Sequence, residues 1–241
     1  MNLVVDFGNT RIKTARFNGP ELIVNKTFGT IEALLNDTAI YQNAQNIIVA
    51  SVTDKHPLFI RSLNKNQNCL LFEANTPIPI KNTYKSAATL GSDRIAASIG
   101  AFSLYPNQNV LTVDAGTCIK YNFVNANNEF VGGAISPGID MRLKAMSHFT
   151  SRLPLINADF NYEKLTGTNT QESLLSGALI GAALEVESMI ERYLNTYKNL
   201  QIVITGGNAE YLCKQLKNRF FAQPNLVLYG LNTILNYNIE K

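Results

Sequence analysis

Cysteine, histidine and charge are all scarce in this sequence, and each shortage excludes a class of protein. The 241 residues hold three cysteines, Cys69, Cys118 and Cys213, widely spaced and odd in number. No CxxC pair occurs among them, so neither a disulfide framework nor a thiolate zinc site is expected, and a reducing, cytoplasmic setting fits. The two histidines, His56 and His148, stand apart from any ligand-like cluster and are read as surface or packing residues. Charged residues make up 16% and the net charge is +3, with Lys and Arg scattered rather than collected into runs. Nucleic acid is therefore not expected as a partner. The N-terminus lacks the basic start, apolar stretch and cleavage site of a secretory signal. The most apolar helix-like stretch, Leu174 to Leu184, ends at Glu185 and Glu187, short of the roughly 20 residues that span a bilayer, so no membrane association is expected. Neither GxxxxGK[ST] nor GxGxxG occurs, which disfavours the two commonest nucleotide-binding loops.

What the chain does have is apolar material, 46% of its residues, and a repeated phrase. "VVDFGNTRIKTARF" (Val4 to Phe17) returns as "TVDAGTCIKYNFV" (Thr112 to Val124). Each copy opens a three-stranded meander: Leu3 to Asp6, Ile12 to Phe17 and Leu22 to Thr27 in the first, then "VLTVDAG", "CIKYNFV" and "FVGGAIS" in the second. Helices and strands alternate after each meander, among them a helix begun at Ser92 and a long helix from Glu172 to Tyr197. Repetition of a whole supersecondary unit predicts an α/β protein of two similar domains, 1–106 and 107–241, with the boundary at the "PNQN" turn.

In both copies an Asp ends an apolar strand two residues before a Gly and close to a hydroxyl residue: Asp6, Gly8, Thr10 and Asp114, Gly116, Thr117. Such a turn can hold phosphate oxygens on backbone N–H and hydroxyl donors while the carboxylate takes a cation or its hydration water. A single DxG is as readily explained as a hairpin turn. Two copies, each at the first strand of its unit, favour the nucleotide reading. "ITGGNAEYL" adds Gly206 and Gly207 leaving a strand, with Asn208 placed to cap the next helix.

Taken in order, Asp6 to Lys13, "GSDR" (Gly91 to Arg94), "VDAGT" (Val113 to Thr117), "GGAISPGIDMR" (Gly132 to Arg142), "GTNTQESLLSG" (Gly167 to Gly177) and "TGGNA" (Thr205 to Ala209) resemble the type III pantothenate kinase family. The resemblance implies the superfamily of actin, sugar kinases and heat-shock chaperone ATPases, with two ribonuclease-H-like domains around a nucleotide cleft. It implies phosphorylation of pantothenate by ATP, the first step toward coenzyme A, with Mg2+, a monovalent cation (K+ or NH4+) and a homodimer. It assigns Asp93 as catalytic base, and Asp6, Gly8, Asn9, Thr10, Lys13, Thr117, Gly206 and Gly207 to the nucleotide. Tyr84, Gly91, Ser92, Asp93, Arg94 and Thr170 go to the substrate, Asp114 to the monovalent cation, and Asp6 to magnesium, directly or through water.

Several of these residues have plainer readings. Asp93 suits a first helical turn with Ser92 as N-cap, Arg94 suits a solvated helix start, Tyr84 a packed ring, and Thr170 a helix N-cap. The apolar run after Thr170, with Gly177 and Gly181 four apart, offers a face for close approach, which the resemblance assigns to the dimer. The chain also departs from the family's DxGTAxTxD phrase, reading "DAGTCIKYN", with Cys118, Lys120 and Asn122 at the varied positions. A fixed ammonium at Lys120 would supply positive charge and weaken dependence on potassium, while Asn122 removes a carboxylate. Alternatively Lys120 points away, since strand residues alternate faces. The competing functions are a kinase for another hydroxyl compound and a nucleotide-binding regulator without turnover.

Overall fold

A computed structural model describes residues 1–217, 220 and 222–240. The chain runs through β1 (Asn2–Phe7), β2 (Ile12–Asn18), β3 (Glu21–Phe28), α1 (Ile31–Asn36), α2 (Thr38–Tyr41) and β4 (Asn46–Ser51). Next come α3 (His56–Arg61), β5 (Asn68–Leu71), β6 (Lys81–Asn82) and α4 (Ser92–Leu104). The order then restarts with β7 (Asn109–Ala115), β8 (Cys118–Val124), β9 (Glu129–Pro137) and α5 (Ile139–Phe149). It closes with α6 (Thr170–Leu175), a π-helical turn (Ser176–Ile180), α7 (Gly181–Thr196), β10 (Leu200–Thr205), α8 (Ala209–Gln215) and α9 (Leu226–Ile239). Two compact units result: Met1–Pro106 with Asn127–Val131 and Asn225–Lys241, and Asn107–Ala126 with Gly132–Pro224.

The first unit is built on a sheet of order β3-β2-β1-β4-β5. β1 is antiparallel to β2 and parallel to β4, so it is a central strand covered on both faces, and its unbroken apolar run follows from that position. Leu3, Val5 and Phe7 point into a core with Ile47, Val49, Leu34, Ile40 and Phe59. On the other side lie α4 and α9. Their backbones meet at two glycines: a Cβ on Gly230 would fall 1.8 Å from the Ala96 carbonyl oxygen, and one on Gly100 2.3 Å from that of Leu226. Tyr229 of α9 also meets the Phe17 ring edge-on at 5.4 Å, and Asn232 accepts a hydrogen bond from Asn2 at 3.0 Å.

These contacts explain a difference from the expected division into 1–106 and 107–241. The helix that ends the chain belongs with the first unit, because its small-residue face fits α4 and its polar residues satisfy β1. Residues 127–131 join the first unit as well, where Glu129 and Phe130 pair in parallel with Lys81 and Asn82 of β6.

The second unit repeats the order as β10-β7-β8-β9, with β7 parallel to β10 and antiparallel to β8. Leu111, Val113, Ala115, Ile119, Tyr121 and Phe123 form one face, packed with Leu174, Leu179, Ala182, Val186 and Ile190. The helical run Thr170–Thr196 is 27 residues long, longer than the apolar stretch alone suggests, and by length and composition it could cross a membrane. It carries Glu172, Glu185, Glu187 and Glu191, and the sheet covers its buried side. A core helix meets the same criterion.

Candidate functional site

The two DxG turns are built alike and end differently. In the first, Gly8 N–H donates to the Arg11 carbonyl at 3.1 Å, closing the turn between β1 and β2. Asn9 and Thr10 are exposed at its tip, Asp6 is half-buried, and Lys13 stands directly opposite Asp6 in the strand pairing. In the second, Gly116 N–H donates to the Cys118 carbonyl at 3.0 Å, and Thr117 is exposed at the tip. Here Lys120 stands opposite Asp114, and its Nζ lies 2.8 Å from Asp114 Oδ2. The two side chains are 17% and 12% exposed, so solvent screens the pair weakly. Lys120 therefore lies on the same face of the hairpin as Asp114. Thr112 and Asn122, both buried, are opposite each other two residues along and share that face of the hairpin.

Other loops of the second unit hold this turn in place. A Cβ on Gly138 would meet the Gly116 carbonyl oxygen at 2.3 Å, and Gly138 N–H donates to the Thr117 carbonyl at 3.1 Å. Gly206 has φ +97° and sits where a Cβ would be 2.4 Å from the Ala115 carbonyl oxygen, while Asn208 N–H donates to that oxygen at 2.9 Å. The "TGG" segment and the second DxG turn are thus brought together at one end of β7 and β10, with Thr205 paired to Asp114. Asn208 occupies the N-cap position of α8, yet its side chain makes no capping bond. In this respect it departs from the role its residue type suggests, and what it contributes instead is its backbone N–H to Ala115.

In the first unit α4 carries the "GSDR" phrase. The cap is Gly91, not Ser92, and Ser92 opens the helix itself. Asp93 lies in the first turn, where the helix dipole favours a carboxylate, and its Oδ1 accepts from Arg94 N–H at 2.8 Å. The side chain folds back so far that a Cβ on Gly91 would touch Oδ1 at 2.7 Å, so a larger residue at this position would push the Asp93 carboxylate aside. Arg94 is 6% exposed, which rules out the solvated helix start. Its guanidinium carbon lies 5.4 Å from the Tyr84 ring centroid and 5.8 Å from that of Phe130. Both distances are within cation–π reach.

The hydrogen bond with Arg94, then one with Ser86 and the guanidinium charge, hold the Tyr84 phenol below its ordinary pKa. Tyr84 N–H donates to Asn82 Oδ1 at 3.0 Å, which fixes the loop that carries the ring. Phe130 and Asn82 therefore belong to this cluster although nothing in the sequence singled them out. Their signal is a contact between β6 and β9, far apart in the chain.

Thr170 takes a separate position, exposed in the first turn of α6. The N-cap there is Asn169, whose side chain accepts from Glu172 N–H at 3.0 Å. Thr170 therefore does not cap the helix. Glu172 reaches back to Thr168 N–H at 2.8 Å, an arrangement close to a capping box. Farther along, Glu185 accepts from Ser136, from Tyr121 at 3.1 Å and from Arg142. Burial raises the Glu185 pKa, but the bonds from Ser136 and Arg142 and the Arg142 charge outweigh it and leave the carboxyl below its ordinary value. Burial, with Glu185 beside it, drives the Tyr121 phenol far above its ordinary range. Among the described residues no three His, Cys, Asp or Glu side chains cluster to hold a metal. His56 bonds the Thr53 carbonyl and His148 stacks edge-on with Phe149.

Known proteins share this fold and this sequence pattern. Among solved structures, a conserved Baf family protein from Campylobacter jejuni superposes with a TM-score of 0.64 at 22% identity, covering 99% of this chain and 100% of that one. The activator of the 2-hydroxyisocaproyl-CoA dehydratase from Clostridium difficile, solved with bound ADPNP, gives 0.54 at 12% identity over 99% and 94%. At those identities the likeness shows the fold, which is that of the actin-like ATPases and sugar kinases. The type III pantothenate kinase of Cytophaga hutchinsonii is 39% identical over 239 residues, 99% of this chain and 100% of the relative. The model of the type III pantothenate kinase family matches residues 2–192, a span holding both DxG turns and the "GSDR" helix, and the chain belongs to that family.

Proposed function

We propose that this protein transfers the γ-phosphoryl group of ATP to the primary hydroxyl of pantothenate, giving 4′-phosphopantothenate and ADP. The observation that carries the reading, beside family membership, is the constellation at the start of α4: Asp93 in a dipole-favoured first turn, followed by a buried Arg94 locked between Tyr84 and Phe130. Asp93 orients the hydroxyl and takes its proton as the oxygen bonds to phosphorus and the bond to the bridging oxygen breaks. Arg94 and Tyr84 bind the polar groups of pantothenate, with Gly91 and Ser92 giving backbone access. Thr170 is assigned a further substrate contact.

Asp6, Gly8, Asn9, Thr10 and Lys13 are assigned to the phosphates of ATP, and Thr117, Gly206 and Gly207 likewise. Magnesium suits Asp6, since that ion keeps most of its water and needs one or two carboxylates plus phosphate oxygens, and it would neutralise phosphate charge. The family's monovalent cation fits less well. Asp114 is already paired with Lys120, and Asn122 stands where the family pattern has a second carboxylate.

A homodimer in the cytoplasm completes the reading. Its support is a set of exposed apolar side chains in the second unit, Phe149, Leu165 and Leu184, and the open space beside Gly177 and Gly181. All three cysteines are free thiols.

The test is incubation with ATP, magnesium and pantothenate, followed by mass spectrometry for the phosphorylated product. Pantothenate-dependent formation of ADP and product is expected. Asp93→Asn should lower kcat by about 10²- to 10⁴-fold with little change in either KM. Turnover stimulated by a different hydroxyl compound, or full activity in Asp93→Asn, would refute the reading.

A further inference from the structure

We infer that Lys120 is a built-in monovalent cation, occupying the place beside Asp114 that a free ion would otherwise fill, so that the enzyme works without added potassium or ammonium. The inference rests on the reading of this chain as an ATP-using kinase.

Geometry is the first support. Lys120 and Asp114 face each other across the β7–β8 pair, with nitrogen and oxygen 2.8 Å apart and both side chains mostly shielded from water. A cation added beside Asp114 must displace an ammonium that the strand register returns to the same spot. Tethering makes that contact intramolecular, at an effective concentration in the millimolar range or above for short links.

Charge is the second. The polar residues on this face of the hairpin are Thr112, Asp114, Lys120 and Asn122, one formal negative charge and one positive. With an amide at position 122, this face of the hairpin offers a further cation no second carboxylate of its own. Two carboxylates would welcome an ion; one carboxylate already neutralised does not. A primary ammonium is also chemically the same kind of donor as the ammonium ion.

The experiment uses the full-length protein in Tris or tetramethylammonium buffer free of potassium and ammonium, with magnesium, ATP and pantothenate. The wild-type rate should change less than about twofold when KCl is raised to cellular levels, the range in which exposed charges are already screened. Lys120→Met should lose about tenfold or more in the same medium, as expected when one partner of a shielded pair is removed, and should regain activity saturably with KCl, NH4Cl or methylammonium. Binding of a non-hydrolysable ATP analogue by calorimetry gives a readout apart from turnover: its Kd should tighten with KCl in Lys120→Met and stay unchanged in the wild type.

A wild type that is inactive without potassium and saturably activated by it would overturn the inference. So would a Lys120→Met variant that matches the wild type in rate and analogue affinity without either ion. If Lys120→Met does not fold, the wild-type potassium titration decides alone. Absence of product from the wild type under every condition would refute the kinase reading instead, and the analogue titration would still report on Lys120.

Discussion

Replacing Gly230 by alanine tests whether the α4–α9 contact positions the helix that carries Asp93 and Arg94. A methyl group at that position would lie 1.8 Å from the Ala96 carbonyl oxygen, 2.7 Å from its carbon and 2.9 Å from Gly100 N. All three are backbone atoms of α4, so no side chain can rotate away and the helices must separate. Overpacking of this kind costs about 1–3 kcal/mol, and a backbone-to-backbone clash belongs at the upper end. Alanine returns about 1 kcal/mol through its better helix propensity. The net expectation is a loss of about 2 kcal/mol, which for a chain of this length lowers Tm by roughly 4–8 °C.

A second consequence follows at the other end of α4. Asp93 and Arg94 stand in its first turn, and if they serve the reaction as proposed, a shift of about 1 Å in their position can cost about 10²-fold in rate. Differential scanning fluorimetry and steady-state kinetics on Gly230→Ala would therefore show a lower Tm together with a lower kcat. Equal or greater stability, the result alanine gives in an unobstructed helix, would refute the argument.

Two other changes read out different parts of the molecule. Glu185 is held below its ordinary value of 4.5, so its stabilising contribution is complete above that value and disappears as pH falls through the lowered one. Glu185→Gln should flatten the acid side of a plot of urea midpoint against pH, whereas an unchanged acid limb would show that the bonds to Arg142 and Ser136 are not coupled to folding. Gly206→Ala combines a left-handed φ of +97° with a Cβ 2.4 Å from the Ala115 carbonyl oxygen, so the "TGG" segment must leave the second DxG turn. The KM for ATP should rise several-fold with the KM for pantothenate less affected, and an unchanged KM for ATP would remove Gly206 from the nucleotide site.

Much of this was legible in the linear sequence, for identifiable reasons. Each DxG turn follows a strand buried on both faces, and such strands read as continuous apolar runs whatever they pack against. What lay out of reach depended on partners distant in the chain. The apolar face of α9 says that it packs, but which sheet receives it depends on Gly230 meeting Gly100, a match between residues of separate segments. The direction of Lys120 depends on strand phase, which Asp114 settles only once β7 and β8 are in register. Arg94 is buried because Phe130, brought by β9, forms part of its platform. Caps were misread by a single residue, at Ser92 for Gly91 and Thr170 for Asn169, since neighbouring small polar residues compete for the same role.

The position of α9 also bears on how the protein is made. Synthesis runs from the N-terminus to the C-terminus, so α4 leaves the ribosome long before residues 226–239 exist to cover it. Until then the groove along Ala96 and Gly100 has no occupant, and the emerging chain presents an apolar helix face of the kind chaperones retain. The second unit, whose segments lie between, has the opportunity to fold first. A ribosome that stops early therefore yields a chain with both DxG turns and an intact "GSDR" phrase but no support behind Asp93. The close fit of Gly230 against Ala96 and Gly100 thus ties the packing of an early helix to a segment made more than a hundred residues later.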